Sequence, residues 1–226
     1  MTASGDRPQS STNLVAVTPR LPRLNKSAQR QAIVRAQVAE SGYVPHLGLA
    51  EVTAIAEAAG SSGRHQDRDR LLVQTLFDAC LRISEALRVR PRDIKQDPTG
   101  WHLEIFGKGK KPGIAAISSS LAAQLQAYAY RHGLNIEEQF FPITRTRAFQ
   151  IVDAAMAKAG VTKPDHVGAV HILRHSGAIE RLRVTGNPKA VQDQLRHTTA
   201  RMTLRYFKTL QAEESLRVQQ GVDFGW

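Results

Sequence analysis

HILRHSGAIERLRVTGNPKAVQDQLRHTTARMTLRYF, residues 171–207, is the stretch whose reading decides the fold. His171 and Arg174, at i and i+3, share one face of a helix that runs from His171 to about Val184. Asn187 caps the next helix, with Pro188 in its first position. Thr198 or Thr199 caps a short helix that carries Tyr206, and Gln211–Gln220 reads as a last amphipathic helix. Two imidazoles (His171 and His197), a guanidinium and a phenol are the parts needed to attack a phosphodiester without a metal. Each also has a plainer reading: His171 and Arg174 as surface polars, His175 as a core or supporting histidine, and Tyr206, between Leu204 and Phe207, as a core aromatic.

Working back along the chain, LGLAEVTAIAEAAG (47–60) reads as a helix ending at Gly60. DRDRLLVQTLFDAC (67–80) places Leu72, Leu76 and Ala79 on one buried face, with Val73, Phe77 and Cys80 beside them. A bend separates it from a short helix, Arg82 to Arg88, which Pro91 stops. WHLEIFGKGKKPGIAAIS (101–118) reads as a β-hairpin in which Trp101, Leu103 and Ile105 alternate with His102, Glu104 and Phe106. Its turn holds Lys108, Lys110 and Lys111. It is not a phosphate-binding Walker loop, because no Ser or Thr and no helix follow the lysine. Ser118 caps a helix over Leu121–His132, Phe140-Phe141-Pro142 is a buried turn, and Thr146–Lys158 is a further helix. The fold class is mainly α with one small antiparallel sheet, and its compact part begins near residue 46.

Residues 1–45 read as a separate basic arm, partly disordered, broken by Pro8, Pro19 and Pro22, with one helix possible over Ser27–Glu40. The 226-residue chain has 31 Lys plus Arg against 20 Asp plus Glu, a net charge of +11. The arm holds +4 of it, so both parts are basic. That balance points to a polyanion, most simply nucleic acid. Arg88, Arg90, Lys111, Arg196 and Arg201 are the candidate phosphate contacts. A single cysteine, Cys80, allows no internal disulfide and fits a reducing compartment. No apolar run is long enough to span a membrane, and the N-terminus has no export pattern. A cytoplasmic, nucleoid-associated protein is expected, with no membrane partner and no cofactor. No carboxylate cluster has metal-ligand spacing, so no metal site is expected.

For attack on a phosphodiester, Arg82 and Arg174 supply planar cationic forks to the non-bridging oxygens. His197 donates a further hydrogen bond. A phenol is largely protonated at neutral pH, so Tyr206 needs a neighbouring base, for which His171 is the first choice. Lys108, with Lys110 as the alternative, protonates the leaving 5′ oxygen.

Taken together, LVQTLFDACLRISEALRVRPRDI, FGKGKKPGIAAI, HILRHSGA and LRHTTARMTLRYF resemble the motifs of the tyrosine recombinases, or phage integrase family, over residues 47–210. The resemblance implies the family's catalytic-domain fold and a catalytic set of Arg82, Lys108, His171, Arg174, His197 and Tyr206, supported by Glu85 and His175. It implies a 3′-phosphotyrosyl intermediate, double-stranded DNA with specific sites, a homotetramer on DNA, accessory DNA-bending proteins and a bacterial or mobile-element origin. The short arm resembles that of the fimbrial-switch recombinases, which lack a separate core-binding domain. Two departures stand out: Cys80 and Arg196 each replace a glycine usual in the family. The alternatives are a type IB topoisomerase, which reseals the original strand, and a catalytically impaired DNA-binding regulator on the same fold.

Overall fold

The computed structural model describes residues 43–61, 63–106, 112–164 and 166–222. The arm helix expected over Ser27–Glu40, the hairpin tip with Lys108, Lys110 and Lys111, and the last four residues lie outside these.

The described chain runs α1 (Leu49–Ala59), α2 (Gln66–Asp78), α3 (Ile83–Ala86), a 3-10 turn (Pro91–Asp93), β1 (Ile94–Asp97), β2 (Gly100–Phe106), β3 (Pro112–Ala116), α4 (Ser119–Arg131), α5 (Arg145–Lys158), α6 (Ala169–Thr185), α7 (Pro188–Leu195) and α8 (Ala200–Gln220). The caps sit where local chemistry puts them. Ser118 accepts from the Leu121 N–H, Thr144 from Arg147, and Asn187 from Lys189 and Ala190, with Pro188 opening α7. The sheet is antiparallel in the order β1-β2-β3, pairing Ile94 with Leu103 and Leu103 with Ala115. Leu103 and Ile105 face inward, and Glu104 and Phe106 face solvent, as the alternation predicts.

Three elements differ from the sequence reading. β1 is an added strand, too polar to show an alternating pattern. The helix carrying Tyr206 and the expected terminal helix are one 21-residue helix, α8, because nothing from Lys208 to Leu210 breaks it. α2 stops at Asp78. Ala79 caps it, and Cys80 turns into the left-handed region at φ 51°.

Two hydrophobic clusters hold the fold. The larger joins α1–α6 and the sheet around Leu72, Leu76, Leu103, Phe140 and Leu173. The smaller joins Val44, Cys80, Ile179, Leu182, Leu195 and Tyr206, and so packs α7 and α8 onto α6. Gly177 lets α6 reach α2: a Cβ there would lie 1.9 Å from the Phe77 carbonyl oxygen and 2.9 Å from Cys80 Sγ. Main chain cannot yield as a flexible side chain does. Gly177→Ala is therefore expected to cost at least ~2 kcal/mol of stability, read from the urea unfolding midpoint. An unchanged midpoint would show that the two helices are not packed this closely.

Candidate active site

Arg174 and Tyr206 are the buried centre of the site, only 2% and 3% exposed. Arg174 projects from the middle of α6. One of its terminal nitrogens donates to the Cys80 carbonyl and the other to the Leu195 carbonyl at 2.8 Å. Both carbonyls belong to left-handed bends, at Cys80 itself and just before Arg196 (φ 53°). These are the two positions where glycine was expected, and the bends are kept without it. Gln194 braces them: its amide donates to the Ala79 and Ala116 carbonyls and accepts from the Ala116 N–H.

Glu85 is the anionic partner of three arginines. Its carboxylate accepts from the Arg82 backbone N–H at 2.8 Å and the Arg82 guanidinium at 2.9 Å. It also accepts from Arg196 at 2.7 Å and lies 3.7 Å from Arg174. Burial alone would push Glu85 up, but Arg196, Arg82 and Arg174 outweigh it and hold the carboxyl below its usual value. Burial and neighbouring Arg82 pull Arg174 down to about 10, which leaves it charged at neutral pH.

These side chains border a cavity of about 540 Å³, lined by Arg82, His171, Arg174, His175, His197, Arg201, Arg205 and Tyr206, with Tyr43, Val44 and His166 at its margin. His175, rather than His171, meets the phenol: its Nδ1 lies 2.6 Å from the Tyr206 hydroxyl. His171 is exposed and sets its ring edge-on to His175 at 4.4 Å. The His197 ring stacks beside Tyr206 at 6.2 Å, and its Nδ1 lies 3.0 Å from the Thr203 hydroxyl. Desolvation, reinforced by surrounding positive charge, lowers all three imidazoles, His175 to about 3 and His197 to about 4. Burial pushes Tyr206 up to about 12. At neutral pH the histidines are thus neutral and the phenol protonated, so in the tautomer that leaves His175 Nδ1 bare the Tyr206 hydroxyl donates to it.

The structure brings together Arg82, His171, Arg174, His197, Tyr206, Glu85 and His175. Of the candidate phosphate contacts, Arg201 lines the cavity and Arg88 is exposed beside Glu85. Arg90 pairs with Glu137 at 2.9 Å, and Arg196 is turned inward onto Glu85. The sequence reading missed Gln194, His166 and Arg181, whose guanidinium ties Asp78 to the Ala116 carbonyl. No local pattern marks any of these three. Among the described residues no cluster of His, Cys, Asp or Glu is arranged to hold a metal ion, and no helix is long and apolar enough to cross a membrane.

A mainly helical domain with a small antiparallel sheet, turning two arginines, three histidines and a tyrosine into one cleft, is the catalytic-domain architecture of the tyrosine recombinases. The chain belongs to the phage integrase family, whose pattern matches residues 46–213. The fold is similar to that of the XerH recombinase bound to difH substrate, with TM-score 0.62 and 21% identity over 76% of this chain and 53% of that one. It is also similar to the catalytic domain of bacteriophage HP1 integrase, with TM-score 0.58 and 20% identity over 74% and 88%. At these identities the likeness is one of fold. In sequence, the chain is 29% identical over 168 residues to tyrosine recombinase XerC of Pelobacter propionicus, covering 71% of this chain and 54% of that protein. It is 29% identical over 204 residues to XerD of Corynebacterium glutamicum, covering 81% and 66%. The chain thus spans about half to two thirds of the length of these curated relatives.

The perturbed groups set how stability depends on pH. A neutral buried histidine takes up a proton more readily once unfolded, so stability falls as pH drops from about 6.5 toward the folded values of about 3 and 4. His175→Gln is expected to flatten that fall, read from urea midpoints at several pH values. Glu85 has the opposite kind of shift, a depressed carboxylate. Its contribution is complete above its unfolded pKa and is lost only as pH falls through the lower folded value. The stability gap between wild type and Glu85→Gln should therefore narrow below about pH 4.3. A gap that is constant down to pH 3 would show that folding does not shift the Glu85 carboxyl, and so that the three arginines do not hold it below its usual value.

Proposed function

We propose that this chain is the catalytic part of a site-specific DNA recombinase that cuts and rejoins strands through a 3′-phosphotyrosyl link to Tyr206. The observation that carries this reading is the Tyr206 hydroxyl, hydrogen-bonded to a neutral imidazole in a cleft flanked by two guanidiniums. By themselves Tyr206 and His175 are poorly matched for proton transfer, because the phenol's proton is far more tightly held than His175 can accept. An entering phosphodiester changes this. Its charge, growing in the pentacoordinate transition state, raises the proton affinity of the surrounding imidazoles. Arg82, Arg174 and His197 neutralise the non-bridging oxygens. As the Tyr206 oxygen bonds to phosphorus, its proton passes to His175 at 2.6 Å, with His171 as the next ring in line. The bond to the 5′ oxygen breaks, and Lys108, or Lys110, supplies its proton. The free 5′-hydroxyl then attacks the phosphotyrosyl link on a partner strand. The bond energy is retained throughout, so no nucleotide cofactor is required.

The recombination sites, assembly as four protomers, DNA-bending helpers, the basic arm's hold on DNA and a nucleoid location all belong to this proposal. The family membership and net charge of +11 support the DNA partner.

The test is a covalent adduct. The full chain is incubated with nicked duplexes tiled from the DNA flanking its gene and run on a denaturing gel beside Tyr206→Phe. A shifted band lost in the variant, with DNA binding retained, is the expected result. Binding without an adduct on any duplex would favour a regulator on a recombinase fold. Supercoil relaxation without strand exchange would favour a type IB topoisomerase. Affinity should also fall steeply with salt, about 0.9 log units per tenfold increase for each phosphate contacted. Salt-independent binding would contradict a phosphate-directed surface.

A further inference from the structure

Arg196 ends α7 in a left-handed conformation (φ 53°, ψ 44°) that glycine adopts freely and arginine only at a cost. Its side chain is 17% exposed. It does not border the cavity that Arg82 and Arg174 share. One terminal nitrogen donates to Glu85 at 2.7 Å and the other to the Gln194 carbonyl at 2.8 Å. Its stem lies across β3: a Cβ on Gly113 would come within 2.8 Å of Arg196 Cδ. A cation meant for a DNA phosphate would point outward. This one is folded back onto a carboxylate 111 positions away and lies against β3 at Gly113.

Glu85 explains what such a cation does. The carboxylate fixes Arg82 through both its backbone and its side chain, yet it also subtracts a charge from the pair of guanidiniums facing the cleft. With Arg82 and Arg174 alone against Glu85 the local balance is +1; Arg196 brings it to +2. We infer that Arg196 is a positioning residue that neutralises Glu85, so that Glu85 orients Arg82 without weakening the hold of Arg82 and Arg174 on a phosphate. The inference rests on the phosphodiester reading of the cleft. It assigns to Arg196 an indirect role in place of a contact with DNA. Partial burial of both partners supports an effect larger than that of an exposed pair, since solvent screens it less.

The test measures two things on the full-length protein: binding of inorganic phosphate, followed by NMR, and the rate of adduct formation at saturating nicked duplex. Arg196→Met keeps the stem and removes the charge. It is expected to weaken phosphate binding and slow the adduct step, each by roughly tenfold, and to raise the Glu85 carboxyl titration seen by carbon NMR. Arg196→Lys should recover part of each loss. Arg196→Gly, at ease at φ 53°, keeps the α7 end in place and should match Arg196→Met, which separates lost charge from misfolding. In a Glu85→Gln background, Arg196→Met should change little, because there is no carboxylate left to neutralise. Wild-type phosphate binding in Arg196→Met would overturn the inference. So would an equal loss in the Glu85→Gln background, the mark of a direct contact. A drop in DNA affinity alone, with the saturated rate and phosphate binding unchanged, would overturn it in the same way. If wild type forms no adduct on any duplex while phosphate binding follows the expected pattern, the recombinase reading fails and the role of Arg196 stands.

Discussion

A guanidinium buried in the middle of α6 sets the terms for the rest of the molecule. Removing Arg174 from water is tolerable only if its donors are met and its charge is balanced. The chain meets that demand with three separate segments: the Cys80 carbonyl, the Leu195 carbonyl and the Glu85 carboxylate. The two carbonyls point inward because the backbone turns left-handed at Cys80 and again at Arg196, the only non-glycine residues with positive φ among those described. Strain of about 1 kcal/mol or more at each bend persists because Arg174 and Gln194 hold both ends. Core packing at Gly177 brings α2 and α6 close enough for the first of these bonds. Fold and site are therefore one structure here. The segment that closes the core also aims the arginine.

The same burial that completes the small hydrophobic cluster determines the chemistry of the cleft. Tyr206 is both a core aromatic, packed with Ile179, Leu182 and Leu195, and a phenol in the cleft that Arg82 and Arg174 line. Its burial in that cluster is why its proton is held so firmly. The histidines respond in the opposite direction, losing affinity for protons to desolvation and to arginine charge. A cleft lined by arginines yet stocked with neutral imidazoles suits a compact anion. On the reading proposed above, a phosphodiester's charge favours a protonated imidazole, and bonding of the Tyr206 oxygen to phosphorus removes the need for a free phenolate.

Much of this was legible because the signals are local. Ser118, Asn187 and Pro188 act on backbone groups within three residues of themselves, and the alternation around Leu103 and Ile105 needs only one strand and a core. β1 was invisible because Lys95, Gln96 and Asp97 are exposed and carry no alternation; its pairing comes from β2 alone. His171 and His175 lie four apart on one helical face, and sequence spacing treats them alike. Which ring meets Tyr206 depends on how α8 crosses α6, a tertiary quantity. The left-handed turn at Cys80 and the inward fold of Arg196 contradict the local preferences of both residues. Each is decided by a partner far along the chain, Arg174 for the first and Glu85 for the second.

The way α8 is docked follows from its composition. Its buried residues are Thr203, Tyr206 and Thr209, one every three positions, with Phe207 and Leu210 only partly covered. Each of the three ends in a hydroxyl, and each hydroxyl meets a different segment. Thr203 meets His197, Tyr206 meets His175, and Thr209 accepts from the Val44 N–H at 2.8 Å. A helix seated by leucines would lose roughly 2 kcal/mol or so for every side chain lifted into water. A hydroxyl exchanges a protein partner for water or a phosphate oxygen at a net difference nearer 1 kcal/mol. The helix that carries Tyr206 is thus held in register by directional bonds as well as by the small apolar cluster around Tyr206. The third of those bonds reaches the backbone just before the family domain begins, and His46 adds a contact to Glu213 at 3.2 Å on the same helix. The segment entering the family domain is therefore joined to α8 about one turn from Tyr206.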